Sequence, residues 1–132
     1  MRVLDATFLV DYGNEVDATA EYLLNHTDER FVIPAPVFAE YLLGSVHSSE
    51  PTDLVGARGE LAWTQVVEID EATAVTAAEV ADEIGPEGPH LTAVDALVAA
   101  VGRELDAPVV SDDGDFIHEE TRKVVDVDEY RE

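Results

Sequence analysis

The chain has no cysteine, a single lysine, and only seven basic residues against 30 acids. Without cysteine there is no disulfide, no thiolate zinc site and no thiol nucleophile. The scarcity of lysine and arginine, at a net charge of −23, removes the basic footprint that usually marks proteins of nucleic acid or anionic membranes. No apolar run approaches the ~20 residues of a membrane span. Met1-Arg2 leads into an apolar segment without a secretory pattern, so a cytoplasmic protein with no membrane association is expected. The stretch Gly85-Pro86-Glu87-Gly88-Pro89 lacks a phosphate-loop pattern, which leaves nucleoside triphosphate binding unsupported.

Enough apolar sequence remains to fold: 46% of the 132 residues are hydrophobic, which excludes a disordered chain despite the charge. One domain over residues 1–132 is expected, with the polar end Asp128 to Glu132 frayed. The acids are spread along the chain rather than gathered in a tail. Acid-rich, lysine-poor surfaces are similar to those of proteins from salt-loving archaea, and a haloarchaeal, halophilic protein is the expectation. At molar salt the Debye length shrinks to ~3 Å and self-repulsion is screened. The competing explanation is an acidic protein that binds basic partners.

Hydrophobic periodicity alternates between strand and helix. Strands are expected at Arg2 to Ala6, Phe31 to Ile33, Gln65 to Ile69 and Pro108 to Ser111, with a weak fifth at Lys123 to Val127. Helices are expected at Thr7 to Tyr12, Glu15 to Asn25, Pro36 to Val46, from Asp53 to about Trp63, Glu71 to Ile84 and Leu91 to Leu105. In the second helix Val16, Ala20, Leu23 and Leu24 mark the core face. Alternation of this kind argues for an α/β fold: a three-layer α/β/α arrangement around a mostly parallel sheet of four to five strands.

Several acids fall where the apolar pattern otherwise avoids charge. Asp5 is the only charge between Arg2 and Asp11, Glu40 the only one between Phe31 and Ser49, and Asp95 the only one from Leu91 to Gly102. Asp112, Asp113 and Asp115 cluster after the strand Ala107-Pro108-Val109-Val110. A buried carboxylate costs several kcal/mol unless it is neutralised, paired or metal-bound. With so few cations in the chain, a shared divalent metal is the economical answer. Mg²⁺ and Mn²⁺ prefer carboxylate and water oxygens, and two such ions can bracket the attacking and leaving oxygens of a phosphodiester. In open parallel sheets, sites form beyond the carboxyl ends of strands, where Asp5 and the Asp112–Asp115 cluster both lie.

The same residues carry a family resemblance that extends over nearly the whole chain. Val3-Leu4-Asp5-Ala6-Thr7-Phe8-Leu9-Val10-Asp11 resembles the first strand and leading acid of PIN-domain nucleases, in particular the VapC-type toxins of toxin–antitoxin pairs. Pro36-Val37-Phe38-Ala39-Glu40-Tyr41 is similar to that family's helix with the second acid. Leu91 to Ala100, centred on Asp95, is similar to its most distinctive segment. Val109-Val110-Ser111-Asp112-Asp113-Gly114-Asp115-Phe116 matches its strand-end motif, and the spacing to Phe116 favours Asp113 over Asp112.

The resemblance implies a PIN-like fold and a metal-dependent endoribonuclease with Asp5, Glu40, Asp95 and Asp113 as catalytic acids. Asp115 joins them as a further Mg²⁺ or Mn²⁺ ligand, while Thr7 and Ser111 serve as accessory contacts to water or phosphate. It further implies an RNA substrate, a homodimer, and a cognate VapB-type antitoxin held against Phe38–Leu42 and Leu54–Leu61. Arg30, Arg58, Arg103, Arg122 and Lys123 are the cations available for an RNA path.

Plainer readings stand beside these. Asp5 at a strand–helix junction is a natural helix cap, as are the aspartates at 112 to 115; Thr7 and Ser111 are equally suited to capping. At the level of function, the alternatives are a non-catalytic PIN-like module that binds RNA or protein, and a receiver-like phosphoacceptor. The complete acid set argues against the first, and the poor placement of Lys123 against the second.

Overall fold

The computed structural model describes residues 1–131. Its strands are β1 (Arg2–Leu4), β2 (Phe31–Pro34), β3 (Gln65–Val67), β4 (Val109–Ser111) and β5 (Val127–Glu129). They form one sheet in the order β3-β2-β1-β4-β5, and every neighbouring pair is parallel. Between them run α1 (Ala6–Gly13), α2 (Asp17–Leu24), α3 (Ala35–Val46), α4 (Leu54–Glu60), α5 (Glu71–Ile84) and α6 (Ala93–Leu105), then the one-turn helices α7 (Gly114–Ile117) and α8 (Glu119–Arg122).

Parallel pairing requires crossovers, and crossovers of this kind are right-handed. The steps from β1 to β2 and from β2 to β3 carry α1 to α4 over one face. The return from β3 to β4 carries α5 and α6 over the other. Covered on both sides, the three central strands are continuous apolar runs: Val3, Leu4, Val32, Ile33, Val109 and Val110 are all essentially inaccessible. Phe8 from α1 and Phe116 from α7 complete the core. Chain order reverses between β1 and β4, where Val3 pairs with Val109 and Leu4 with Val110. That reversal opens a crevice beyond the carboxyl ends of these two strands.

Three expectations need correcting. The fifth strand lies later than Lys123 to Val127, because Val124 and Val125 close a turn on the Thr121 carbonyl at 3.0 and 2.8 Å. The strand begins at Val127, opposite Val109. Asp128 and Glu129 therefore belong to the sheet rather than a frayed end, and Tyr130 is buried with its ring 4.9 Å from that of Phe8; Glu132 lies outside the described residues. Finally, α2 is rotated from its expected face. It starts at Asp17, buries Thr19 and Tyr22, and leaves Ala20 and Leu24 in solvent. Tyr22 wins that position by packing edge-on against Phe8 at 5.9 Å and by hydrogen bonding Arg2 and Asp128.

Candidate functional site

The crevice at the β1–β4 junction is built around Asp5, which is 2% exposed. Its extended backbone makes it the N-cap of α1, with Oδ1 accepting the Phe8 N–H at 3.2 Å. The same oxygen accepts the Thr7 hydroxyl at 2.7 Å, while Oδ2 accepts the Ser111 hydroxyl at 2.5 Å. Each hydroxyl also accepts a backbone N–H from the loop after β4: Asp112 to Thr7 at 3.0 Å and Asp113 to Ser111 at 2.9 Å. Thr7 and Ser111 therefore lock the loop after β4 onto the Asp5 carboxylate. Burial pushes the Asp5 carboxyl up to about 6, against the pull of three hydrogen bonds and with a further push from the Asp113 charge.

Asp113 caps α7 by accepting the Asp115 N–H at 2.8 Å, and both side chains are half-buried. Asp95 stands in the first turn of α6, whose N-cap Thr92 accepts the Asp95 N–H at 3.1 Å. Asp95 lies within the apolar helix as expected, but the helix begins at Ala93 rather than Leu91, which puts Asp95 in its first turn and half-buried. Its carboxyl is raised by burial and by the charges of Asp113, Asp115 and Glu40, with Thr92 opposing. That influence brings acids from two further chain segments, α3 and the loop after β4, into one field with Asp95.

Glu40 differs from expectation. As the lone charge in the apolar stretch from Phe31 to Ser49 it reads as a buried acid, yet Glu40 is exposed. The reason is that α1, α3 and α4 leave a groove between them, and Glu40 stands on its wall beside Ala6, Val37 and Tyr41.

Asp112 faces Arg131, whose Nε is 4.0 Å from its Oδ2. Arg131 was not among the cations singled out in the sequence. Only the fold reveals it, because β5 carries the chain back to β4 and delivers the arginine beside the crevice.

Among the described residues, no three carboxylate or imidazole groups already surround a point at coordinating distance. The donor chemistry nevertheless fits a hard divalent cation. The charge of Asp113 raises the proton affinity of both Asp5 and Asp95, and Mg²⁺ needs only one or two direct carboxylates when waters complete its shell.

Sequence and fold comparisons give the class. The PIN-domain family model matches residues 2–120, and the chain belongs to the PIN-domain family. No curated protein sequence matches it. Among solved structures, it superposes on DNA-bound VapBC from Salmonella typhimurium with a TM-score of 0.77 at 17% identity, covering 98% of this chain and 99% of that one. It is similar to FitAcB from Neisseria gonorrhoeae with a TM-score of 0.75 at 17% identity, covering 98% and 96%. Mycobacterium tuberculosis VapC20, described as a sarcin–ricin loop cleaving toxin, gives a TM-score of 0.70 at 22% identity, covering 96% and 98%. At such identities the likeness is one of fold.

Proposed function

We propose that this protein is an Mg²⁺- or Mn²⁺-dependent endoribonuclease and the toxin of a type II toxin–antitoxin pair. The observation that carries the reading is the convergence of acids from four chain segments at the β1–β4 switch point, with Asp5 and Asp95 both responding to the charge of Asp113. The likeness in fold to VapBC, FitAcB and VapC20 supports the toxin reading.

Asp5, Glu40, Asp95 and Asp113 would hold the cation, with Asp115 assisting; when bound, the metal supplies an activated water and offsets charge on the phosphate. The chain's own contributions are positional. Thr7 and the Phe8 N–H occupy Oδ1 of Asp5, while Oδ2 accepts only the Ser111 hydroxyl and keeps one lone pair free, since each carboxylate oxygen has two. The open groove lets Glu40 reach the crevice from the side. Its apolar walls, with exposed Leu54 and Val55 nearby, suit the antitoxin segment. A guanidinium from that segment would bridge carboxylates in the metal's place.

The protein acts as a cytoplasmic homodimer in a salt-rich, haloarchaeal interior, where counterion release contributes less to RNA affinity and metal–phosphate contact contributes more. Among the described residues no helix is long and apolar enough to cross a membrane.

The test is cleavage of RNA by the purified protein with Mn²⁺ in molar KCl, compared with Asp95→Asn. Equal rates in the two proteins overturn the site assignment. A co-expressed neighbouring gene product that neither binds nor inhibits removes the toxin label.

A further inference from the structure

The acids of the crevice would repel the phosphates of any RNA that approaches, and the surface around them is acidic too. The basic side chains are mostly engaged elsewhere: Arg2 with Tyr22 and Asp128, Arg103 with Glu83, Arg122 with Glu129, and Lys123 with Glu120. Arg131 differs in its location. Its Nη1 donates to Asp11 at 3.1 Å and its Nε lies 4.0 Å from Asp112, the residue adjacent to Asp113. Its side chain is 46% exposed, so one edge of the guanidinium faces solvent at the rim.

The backbone that presents Arg131 is fixed rather than free. Tyr130 beside it is 8% exposed, stacks edge-on against Phe8 at 4.9 Å, and donates its hydroxyl to Asp11 Oδ2 at 2.6 Å. The Tyr130 phenol is held un-ionised by burial and by that bond to Asp11, so it remains a donor at any working pH. Asp11 thus accepts from both residues and pins the pair to α1, the helix whose first turn Asp5 caps. A guanidinium held this way has lost most of its rotamer freedom before a ligand arrives, and it offers planar paired donors suited to a phosphate.

We infer that Arg131 is the phosphate-binding residue of this site: it takes a backbone phosphate of single-stranded RNA next to the scissile one and seats the strand across the acid cluster. The inference rests on the ribonuclease reading and adds to it the group that draws RNA to an acidic cleft. Asp11 and Asp112 leave the arginine charged and oriented but half-open, so a phosphate adds to the ion pairs rather than having to break them.

The experiment uses the full chain and a fluorescein-labelled mixed-sequence 12-nucleotide RNA, bound in Ca²⁺ and titrated at several KCl concentrations. Arg131→Gln should weaken binding about tenfold, the value of one charged hydrogen-bonded contact. It should also lower the slope of log Kd against log salt by ~0.7, the loss of one single-strand phosphate contact. In cleavage with Mn²⁺, KM should rise while kcat holds, and Arg131→Lys should recover most of the slope but less of the affinity. Matched melting temperatures of the Gln and Lys variants show that the difference between them is not one of folding.

If wild-type protein binds RNA and Arg131→Gln matches it in Kd and slope, the arginine's role is overturned and the ribonuclease reading survives. Tighter binding or faster cleavage by Arg131→Gln also overturns the role, since the arginine would then be a latch over the acids. Wild-type protein that neither binds nor cuts RNA removes both readings together.

Discussion

Asp5 and Asp70 occupy the same local position and behave in opposite ways. Each follows a strand, caps the next helix, and accepts the backbone N–H three residues on, from Phe8 at 3.2 Å and from Thr73 at 2.9 Å. Each also accepts a threonine hydroxyl, Thr7 at 2.7 Å and Thr73 at 2.9 Å. Those bonds hold the solvent-exposed Asp70 carboxyl below its usual range. Asp5 has a further bond from Ser111 and still sits near 6, because burial and the Asp113 charge outweigh all three. A cap that serves only the helix needs neither burial nor an acidic neighbour. The penalty that Asp5 carries is therefore unexplained by capping and calls for a cation.

The largest effect expected from this contrast is on catalysis. Asp5→Asn and Asp95→Asn should each lower the RNA cleavage rate by on the order of a hundredfold or more, as removal of a charge-stabilising group does. Asp70→Asn should leave it unchanged. Mn²⁺ should raise the melting temperature of wild type and of Asp70→Asn by mass action, reaching ~2.7 kcal/mol at about 100 times Kd. EDTA should reverse the rise, and Asp5→Asn should show little of it. A wild-type melting curve indifferent to Mn²⁺ and EDTA would leave the Asp5 penalty without its proposed purpose.

The next effect lies in the pH dependence of the metal-free protein. Asp5 is raised from 3.8 to about 6, so the folded state holds the proton more tightly than the unfolded one. Its contribution to stability is fully present below pH ~4 and lost as pH rises through about 6, amounting to ~3 kcal/mol. The advantage of Asp5→Asn over wild type should therefore grow between pH 4 and 6.5 and level off above. Asp70 has the opposite sign: its carboxyl is lowered, so its support is present above its unfolded pKa and fades as pH falls through the folded value. Urea unfolding of the two Asn variants reads both signs when the pH series runs through the Asp5 window and on below pH ~4, where the Asp70 support fades. Parallel pH profiles for the two would erase the distinction between a cap and a site.

The acids of this site were legible because they interrupt apolar pattern. Asp5 and Asp95 stand out for that reason, and the alternation of strands and helices was enough to place Asp5 and Asp113 at strand ends. The orientation of Glu40 was not legible. Periodicity shows which residues share a helix face, but not whether neighbouring helices close over that face, and here α1, α3 and α4 leave it open. The face of α2 was misread for a related reason: Tyr22 and Thr19 are polar by letter yet buried, with their hydroxyls satisfied by Asp128 and by the Val16 carbonyl at 2.6 and 2.7 Å. The bond of Ser111 to Asp5 and that of the Asp112 N–H to Thr7 span 106 and 105 residues, which no local pattern reports. Arg131 was hidden in the same way, because a polar chain end looks frayed until β5 is seen to pair with β4.

The smallest effect separates buried from exposed charge by salt. The many acids on the helical surface, such as Glu71, Glu79, Asp82 and Glu83 of α5, repel through water and are screened within ~3 Å at molar KCl. Asp5 itself is buried, so its carboxylate is screened far less by added ions. Melting temperature should therefore climb by several degrees between dilute and molar KCl, on the order of 1–2 kcal/mol for a domain of this size. The climb should be equal in wild type and Asp5→Asn, because it originates on the surface. The gap between the two proteins at pH 7 should persist at every salt concentration. If molar KCl closes that gap, the Asp5 carboxylate is screened like a surface acid, and its elevated pKa owes more to long-range charge than to burial. A curve flat in KCl for both proteins would instead remove the halophilic reading and leave the buried site untouched.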